Sequence, residues 1–254
     1  MDLVYLEGHF PGHPLLPGFV QVHWVMALAR EHLGVGASPG AIEALKFRAP
    51  LRPGQEFGLA IDASPDRLRF ELGAGSEALS SGRVVLDERL PQHESAPEVP
   101  PAPPDAGLPL RLPQAGAMRV LERVLAHDAR ATVCEARIAE TTPLCERGAA
   151  PAWLAIELLA QAMAAHGGLV ASTGAPRRGF LVSARRIELR TRAFRVGERL
   201  WVRAEHQRGE LGMVAFACAL GSGAPPRSAE DARARALASG SLAAFVEPAD
   251  APVG

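Results

Sequence analysis

The chain has 254 residues, 48% of them hydrophobic, and a formal net charge of −1 at pH 7. That is apolar material for two cores of ordinary size, and too balanced a charge for an extended nucleic-acid surface. Cys134, Cys145 and Cys218 are odd in number and widely spaced without a CxxC, which supports neither a disulfide framework nor a zinc site. No basic-then-apolar segment opens the chain, and no apolar run is read as reaching the roughly twenty residues of a bilayer span, so the expected location is cytoplasmic.

In chain order, the first element is a loop, Gly8-His9-Phe10-Pro11-Gly12-His13-Pro14-Leu15-Leu16-Pro17-Gly18. Its three prolines fix φ and remove donors, while Gly12 and Gly18 permit conformations and close approaches that a side chain forbids. A histidine held so stiffly, with an ordinary pKa of about 6.5, suits proton transfer near neutral pH. A lone histidine in such a loop is commonly structural, but the length of the motif favours a catalytic His9; His13 is read as a surface member. The loop opens into a helix over about residues 18–33, apolar nearly all round and therefore expected to be buried. There Trp24 is read as core, and His23 is left open between a relic, a core residue and a proton shuttle.

Strands follow, and a weak internal repeat links the two halves. Lys46 to Phe57 matches Arg190 to Leu200, and Ser81 to Leu86 matches Ser239 to Phe245. Between them residues 91–107, rich in proline, read as a semi-rigid linker. The expected organisation is a first domain over 1–90, the linker, a second domain over 108–248 and a tail over 249–254. The second domain begins with Leu112-Pro113-Gln114-Ala115-Gly116-Ala117-Met118 and a strand, an entry segment without counterpart in the first. Either the chain start is misplaced or domain one lacks its first strand, which would expose a sheet edge.

A second apolar helix is expected over about residues 152–171, with Trp153 in the core. Its single carboxylate, Glu157, has Gln161 four residues on, where the amide can hold the carboxyl group. Burial among apolar neighbours suits an acid kept protonated for donation. The strand Arg199 to Glu205 alternates apolar and polar residues, as a sheet with one buried face requires. Arg185, Arg186, Arg190, Arg192 and Arg195 make this region locally basic, either a solvated strand face or a docking surface for an acidic partner. Class by pattern is α+β, with curled antiparallel sheet around buried helices.

The His9 loop resembles the active-site loop of FabA/FabZ-type 3-hydroxyacyl-acyl carrier protein dehydratases, and Glu157 with Gln161 resembles that family's acid-bearing helix. In the family the acid follows the histidine by fourteen residues. Here that position is His23, and counting back fourteen from Glu157 reaches Pro143, so each half lacks what the other has. The first half is similar to ApeI and the second to ApeP, the paired dehydratases of aryl polyene synthesis. The resemblance implies a double hot-dog fold, an intramolecular pseudo-dimer with one composite site of His9 and Glu157, and a dead second site near His23 and Pro143.

It further implies water loss from a 3-hydroxyacyl thioester to a trans-2-enoyl thioester, in aryl polyene or related fatty-acid or polyketide-like synthesis. His9 would be the base, Glu157 the acid, Gln161 the orienting residue, and Gly18, Phe10 and Pro17 the thioester-oxygen and substrate contacts. No metal or organic cofactor is expected, since the substrate rides on the phosphopantetheine of acyl carrier protein. That carrier is the expected partner, with the five arginines above as its docking face and self-association of pseudo-dimers as an open further step. Two other classes stay open: a hot-dog thioesterase, and a non-catalytic acyl-binding or scaffold subunit.

Overall fold

The computed structural model describes residues 4–12, 14–93, 108–171 and 179–247. The tail, His13 and all but the first three residues of the expected linker lie outside them. Ten strands form a single antiparallel sheet. The first half supplies β1 (Ser38–Phe47), β2 (Gly58–Ser64), β3 (Arg67–Ala74) and β4 (Glu77–Asp87). The second half supplies β5 (Leu121–His127), β6 (Ala131–Arg137), β8 (Gly179–Leu189), β10 (Arg199–Glu210), β11 (Met213–Ser222) and β12 (Ala238–Val246). The spatial order is β2-β3-β4-β1-β8-β12-β11-β10-β6-β5, while β7 (Ala149–Pro151) and β9 (Ala193–Arg195) pair separately.

The halves meet where β1 pairs with β8, with Ile42 opposite Ile187 and Glu43 opposite Arg186, so the sheet runs unbroken through the pseudo-twofold centre. Ser81 pairs with Lys46 and Ser239 with Glu188, so the strands align Lys46 with Glu188, two residues earlier than the Lys46/Arg190 match in sequence. Four strands stand in one half against six in the other: two described strands lack a counterpart, one more than expected. The outer edge of β2 is consequently open, and most of its side chains are exposed.

Each half wraps its sheet around one long helix. α1 (Val4–Gly8) is a single turn before the His9 loop; α2 (Gly18–Leu33) and α3 (Ala155–Val170) fill the two curls. α3 is buried on nearly every side from Ala155 to His166, where side chains such as Leu158 and Leu159 are worth roughly 2 kcal/mol each. α2 is buried at Phe19 to Val22, Val25, Met26 and Ala29 but exposes Ala27, Leu28 and Arg30 to Leu33, so burial all round holds for the second helix and fails for the last turns of the first. With its leading turn, the stretch Ala152–Val170 is 19 residues long and apolar enough to match a membrane span by length and composition. This corrects the expectation of no such run; here the stretch is mostly buried inside the curl of the sheet.

The expected alternation in Arg199 to Glu205 also fails, because Leu200, Trp201 and Val202 are buried in succession. α4 (Ala229–Ala234) covers the outer face of the sheet, where Trp201 packs with Val133, Ala219, Ala232 and Ala236. The Trp201 indole N–H donates to the Ser222 carbonyl at 3.1 Å.

Candidate active site

The His9 loop is pinned at both ends. Leu16 N–H donates to the Leu51 carbonyl at 2.9 Å, and the Gly8 carbonyl accepts the Ala115 N–H at 3.0 Å. Phe10 adopts φ 60°, a left-handed conformation uncommon for a bulky residue and worth of order 1–3 kcal/mol of strain. Its side chain is buried against Phe180, with ring centroids 5.4 Å apart. Leu144, which follows Pro143, has φ 61°, so both half-site loops share this turn although only one carries histidine.

His9 Nδ1 lies 2.9 Å from the Leu15 carbonyl oxygen. A carbonyl can only accept, so Nδ1 carries the proton and Nε2 is left with a lone pair for accepting one. No sequence pattern announced this bond, since it depends on the fold of the loop. Glu157, 5% exposed, sits in the first turn of α3. Its Oε1 accepts from Gln161 Nε2 at 2.8 Å and from Gln114 Nε2 at 3.2 Å. Gln161 is held in turn: its Nε2 donates to the Met118 carbonyl at 2.6 Å, and its Oε1 accepts the Val120 and Leu121 N–H groups at 3.2 and 3.3 Å. Gln114 is the residue that sequence reasoning passed over. It was visible only as a member of the entry segment, and its Oε1 is buried without a partner among the described residues.

His9 and Glu157 line one cavity of about 2120 Å³, one from each half of the chain. Phe10, Gly18, Gln21 and Gln114 line it too, while Gln161 is buried behind the wall. Gly18 opens α2 with no side-chain cap, and a Cβ on it would fall 2.3 Å from the Phe47 ring. Uncapped first-turn N–H groups at the positive end of a helix suit an oxygen that gains negative charge. Pro17 is a correction: it does not line the cavity but ends the loop as the N-cap residue of α2, its carbonyl accepting the Val20 N–H at 3.1 Å.

At the symmetry-related place the described side chains are aromatic and basic. Trp153 lies beside His23, ring centroids 6.0 Å apart, and the Arg30 guanidinium stands 5.6 Å from the centre of the Trp153 ring. Burial lowers the pKa of His23, outweighing the nearby Glu146 carboxylate, so the imidazole is neutral there at pH 7.

Of the five arginines, Arg186 pairs with Glu43 and Glu188, Arg190 with Glu188, and Arg192 donates to the Leu90 and Glu88 carbonyls. Arg186 and Arg190 thus face carboxylates of the same molecule while staying about half exposed. Lys46, Arg48 and Arg52 stand instead on the cavity wall.

A curled sheet around one helix, duplicated and joined edge to edge, is a double hot-dog, here with a single histidine and glutamate pocket shared between the halves. The same architecture recurs in the dehydratase domain of RzxB from Pseudomonas fluorescens (TM-score 0.65, 14% identity, 97% of this chain and 91% of that one). It recurs also in the dehydratase domain of PpsC from Mycobacterium tuberculosis (TM-score 0.64, 14% identity, 97% and 90%). The chain belongs to the ApeP-like family, described as ApeP dehydratase, whose model matches residues 109–252; the ApeI dehydratase model matches residues 1–83. Among curated relatives, the 3-hydroxyacyl-[acyl-carrier-protein] dehydratase FabZ of Novosphingobium aromaticivorans is 36% identical over 99 residues, 35% of this chain and 58% of that protein. FabZ of Herpetosiphon aurantiacus is 32% identical over 98 residues, 35% and 68%. The chain thus spans little more than half the length of the first of these.

Proposed function

We propose that this chain dehydrates 3-hydroxyacyl thioesters carried on acyl carrier protein, giving trans-2-enoyl thioesters for an aryl polyene or a related polyketide-like product. One observation carries the reading: an imidazole from the first half and a carboxyl group from the second border the same cavity. His9 Nε2 takes a proton from the carbon next to the thioester carbonyl. The electron pair moves to form the double bond, and the C–O bond at the 3-position breaks. Glu157 donates its proton to the departing hydroxyl, which leaves as water. Because Oε1 already accepts two amide N–H groups, the proton to be donated resides on Oε2. Charge that builds on the thioester oxygen meets the Gly18 N–H at the start of α2. Side-chain proton transfer accounts for the whole elimination, and no step is assigned to a metal or organic cofactor.

The acidic carrier protein is proposed to dock by Lys46, Arg48 and Arg52 at the cavity, with the exposed Arg185 and Arg195 as the remaining members of the arginine face. The chemistry belongs in the cytoplasm, where such carriers are loaded. The test compares wild type, His9→Ala and Glu157→Ala on 3-hydroxyacyl and saturated acyl thioesters. Enoyl thioester should form with wild type and fall by 10²–10⁴-fold in each variant, the usual range for a lost proton-transfer group. Release of free thiol would instead identify a thioesterase, and turnover of neither substrate would leave a scaffold.

A further inference from the structure

The cavity wall near the His9 loop carries a buried amide to which the elimination has given no task. Gln21 stands on α2 one turn after Gly18 and is only 3% exposed. Its Oε1 accepts the Ser80 hydroxyl at 2.6 Å, and Ser80, on β4, is fully buried. That bond fixes the amide plane, so Nε2 points the other way. Among the described residues Nε2 has no hydrogen-bond partner, yet it is not one of the polar atoms sealed inside protein, and Gln21 lines the cavity. Its N–H groups therefore look into the cavity. The fold does not require this polar pair. The alignment that sets His23 against Glu157 sets Gln21 against Ala155, and the match of Ser81 with Ser239 sets Ser80 against Ala238. Both alanines are buried. Two hydrogen-bonded partners can be replaced together by apolar groups at little cost, and the half without the loop histidine holds that apolar version.

We propose that Gln21 Nε2 is a second hydrogen-bond donor to the thioester carbonyl oxygen, acting with the Gly18 N–H. The inference rests on the reading of His9 as the base and adds a catalytic residue to it. In a helix each side chain leans toward the N-terminus and covers the turn before its own Cα, so Gln21 leans back toward Gly18. The sheet brings its anchor to the same place. Ser80 lies opposite Phe47 across the β1 and β4 pair, and the Phe47 ring packs onto Gly18 so closely that a Cβ there would fall 2.3 Å from it. The Pro17 carbonyl takes the Val20 and Gln21 N–H groups, while the Gly18 end of the helix has no side-chain cap. As His9 removes the proton, negative charge passes to the carbonyl oxygen, and two preoriented donors stabilise it more than one. A neutral amide also suits a cavity that holds a protonated Glu157, because a cation there would favour the ionised acid.

The experiment compares wild type with Gln21→Met, which keeps the length of the side chain, and with the double variant Gln21→Met/Ser80→Ala. The double variant also removes the hydroxyl left unpaired and imitates the apolar pair of the other half, so it supplies a folded reference. Two readouts are taken: enoyl-thioester formation from a 3-hydroxyacyl-pantetheine, and the infrared carbonyl band of a bound saturated acyl-pantetheine amide, isotopically labelled at the acyl carbonyl, in which the amide stands in for the thioester. In both variants kcat should fall by about 10²–10³-fold with KM little changed, as for loss of one oxyanion donor. The carbonyl band, lowered by donation in wild type, should move to higher frequency in both. A merely structural Gln21 would leave the band in place, and its loss would be relieved by the Ser80 change. Wild-type kcat in either folded variant, or an unmoved band, would overturn the proposal. If wild type itself forms no enoyl thioester, the reaction is rejected, and the band alone decides whether Gln21 donates to the carbonyl.

Discussion

Gly8 immediately precedes His9 and is one of the points at which the histidine's half touches the carboxylate's half, its carbonyl accepting the Ala115 N–H. A Cβ placed there would fall 2.1 Å from the Ala115 carbonyl oxygen and 2.9 Å from Met118 Cβ, where ordinary contact begins near 3.4 Å. The nearest obstacle is backbone, so a methyl group cannot be absorbed by turning a side chain; the two segments must part by about 1.3 Å. The entry segment is itself tied to the acid: Met118 accepts from Gln161 and Gln114 donates to Glu157. Gly8→Ala therefore shifts the imidazole relative to the carboxyl group. A misplacement of about 1 Å costs on the order of 10²-fold in rate, and the overpacking costs about 1–3 kcal/mol of stability. Enoyl-thioester formation at saturating substrate, alongside urea denaturation, separates the two effects, with Gly36→Ala as a control because no atom lies within 4 Å of its added Cβ. Wild-type kcat in a folded Gly8→Ala protein would refute the idea that this contact sets the spacing of the catalytic groups.

Replacing Gln161 by Leu leaves the Met118 carbonyl and the Val120 and Leu121 N–H groups unpaired in the core, which should cost about 3 kcal/mol or more. It should lower kcat more than it raises KM; an unchanged kcat would remove Gln161 from any role in holding the acid. Trp201→Ala empties the space between the sheet and α4 and should destabilise by about 3–5 kcal/mol. Guanidinium denaturation reads that loss, and a loss below about 1 kcal/mol would mean that α4 closes over the gap. Burial, together with His127 and His206 nearby, holds the His166 pKa down to about 4 in the folded protein against an ordinary 6.5, so the unfolded chain binds more protons between those values. The corresponding stability is complete above pH 6.5 and is lost as pH falls toward 4, by roughly 3 kcal/mol. His166→Gln should flatten that part of the pH–stability curve relative to wild type; identical slopes would contradict the assignment.

The sequence alone was enough to recognise the two half-motifs, because their information is local. Prolines and glycines stiffen the His9 loop by their own covalent geometry, and an i, i+4 spacing puts Gln161 beside Glu157 whatever surrounds the helix. The same locality located α2 and α3 at about their observed ends. Other features arise only when distant segments meet. The tautomer of His9 depends on where the Leu15 carbonyl lands after the loop folds. The role of Gln114 depends on an entry segment reaching across 43 residues to Glu157. Burial of Trp201 depends on α4 covering a face that period-two alternation would assign to solvent. The Gln21 and Ser80 pair joins α2 to β4 across 59 residues, and no spacing along the chain foretells it. Local chemistry identified which groups could react; long-range packing decided which of them share a cavity, because only the curling of the sheet around the two helices brings residues so far apart in sequence onto one wall.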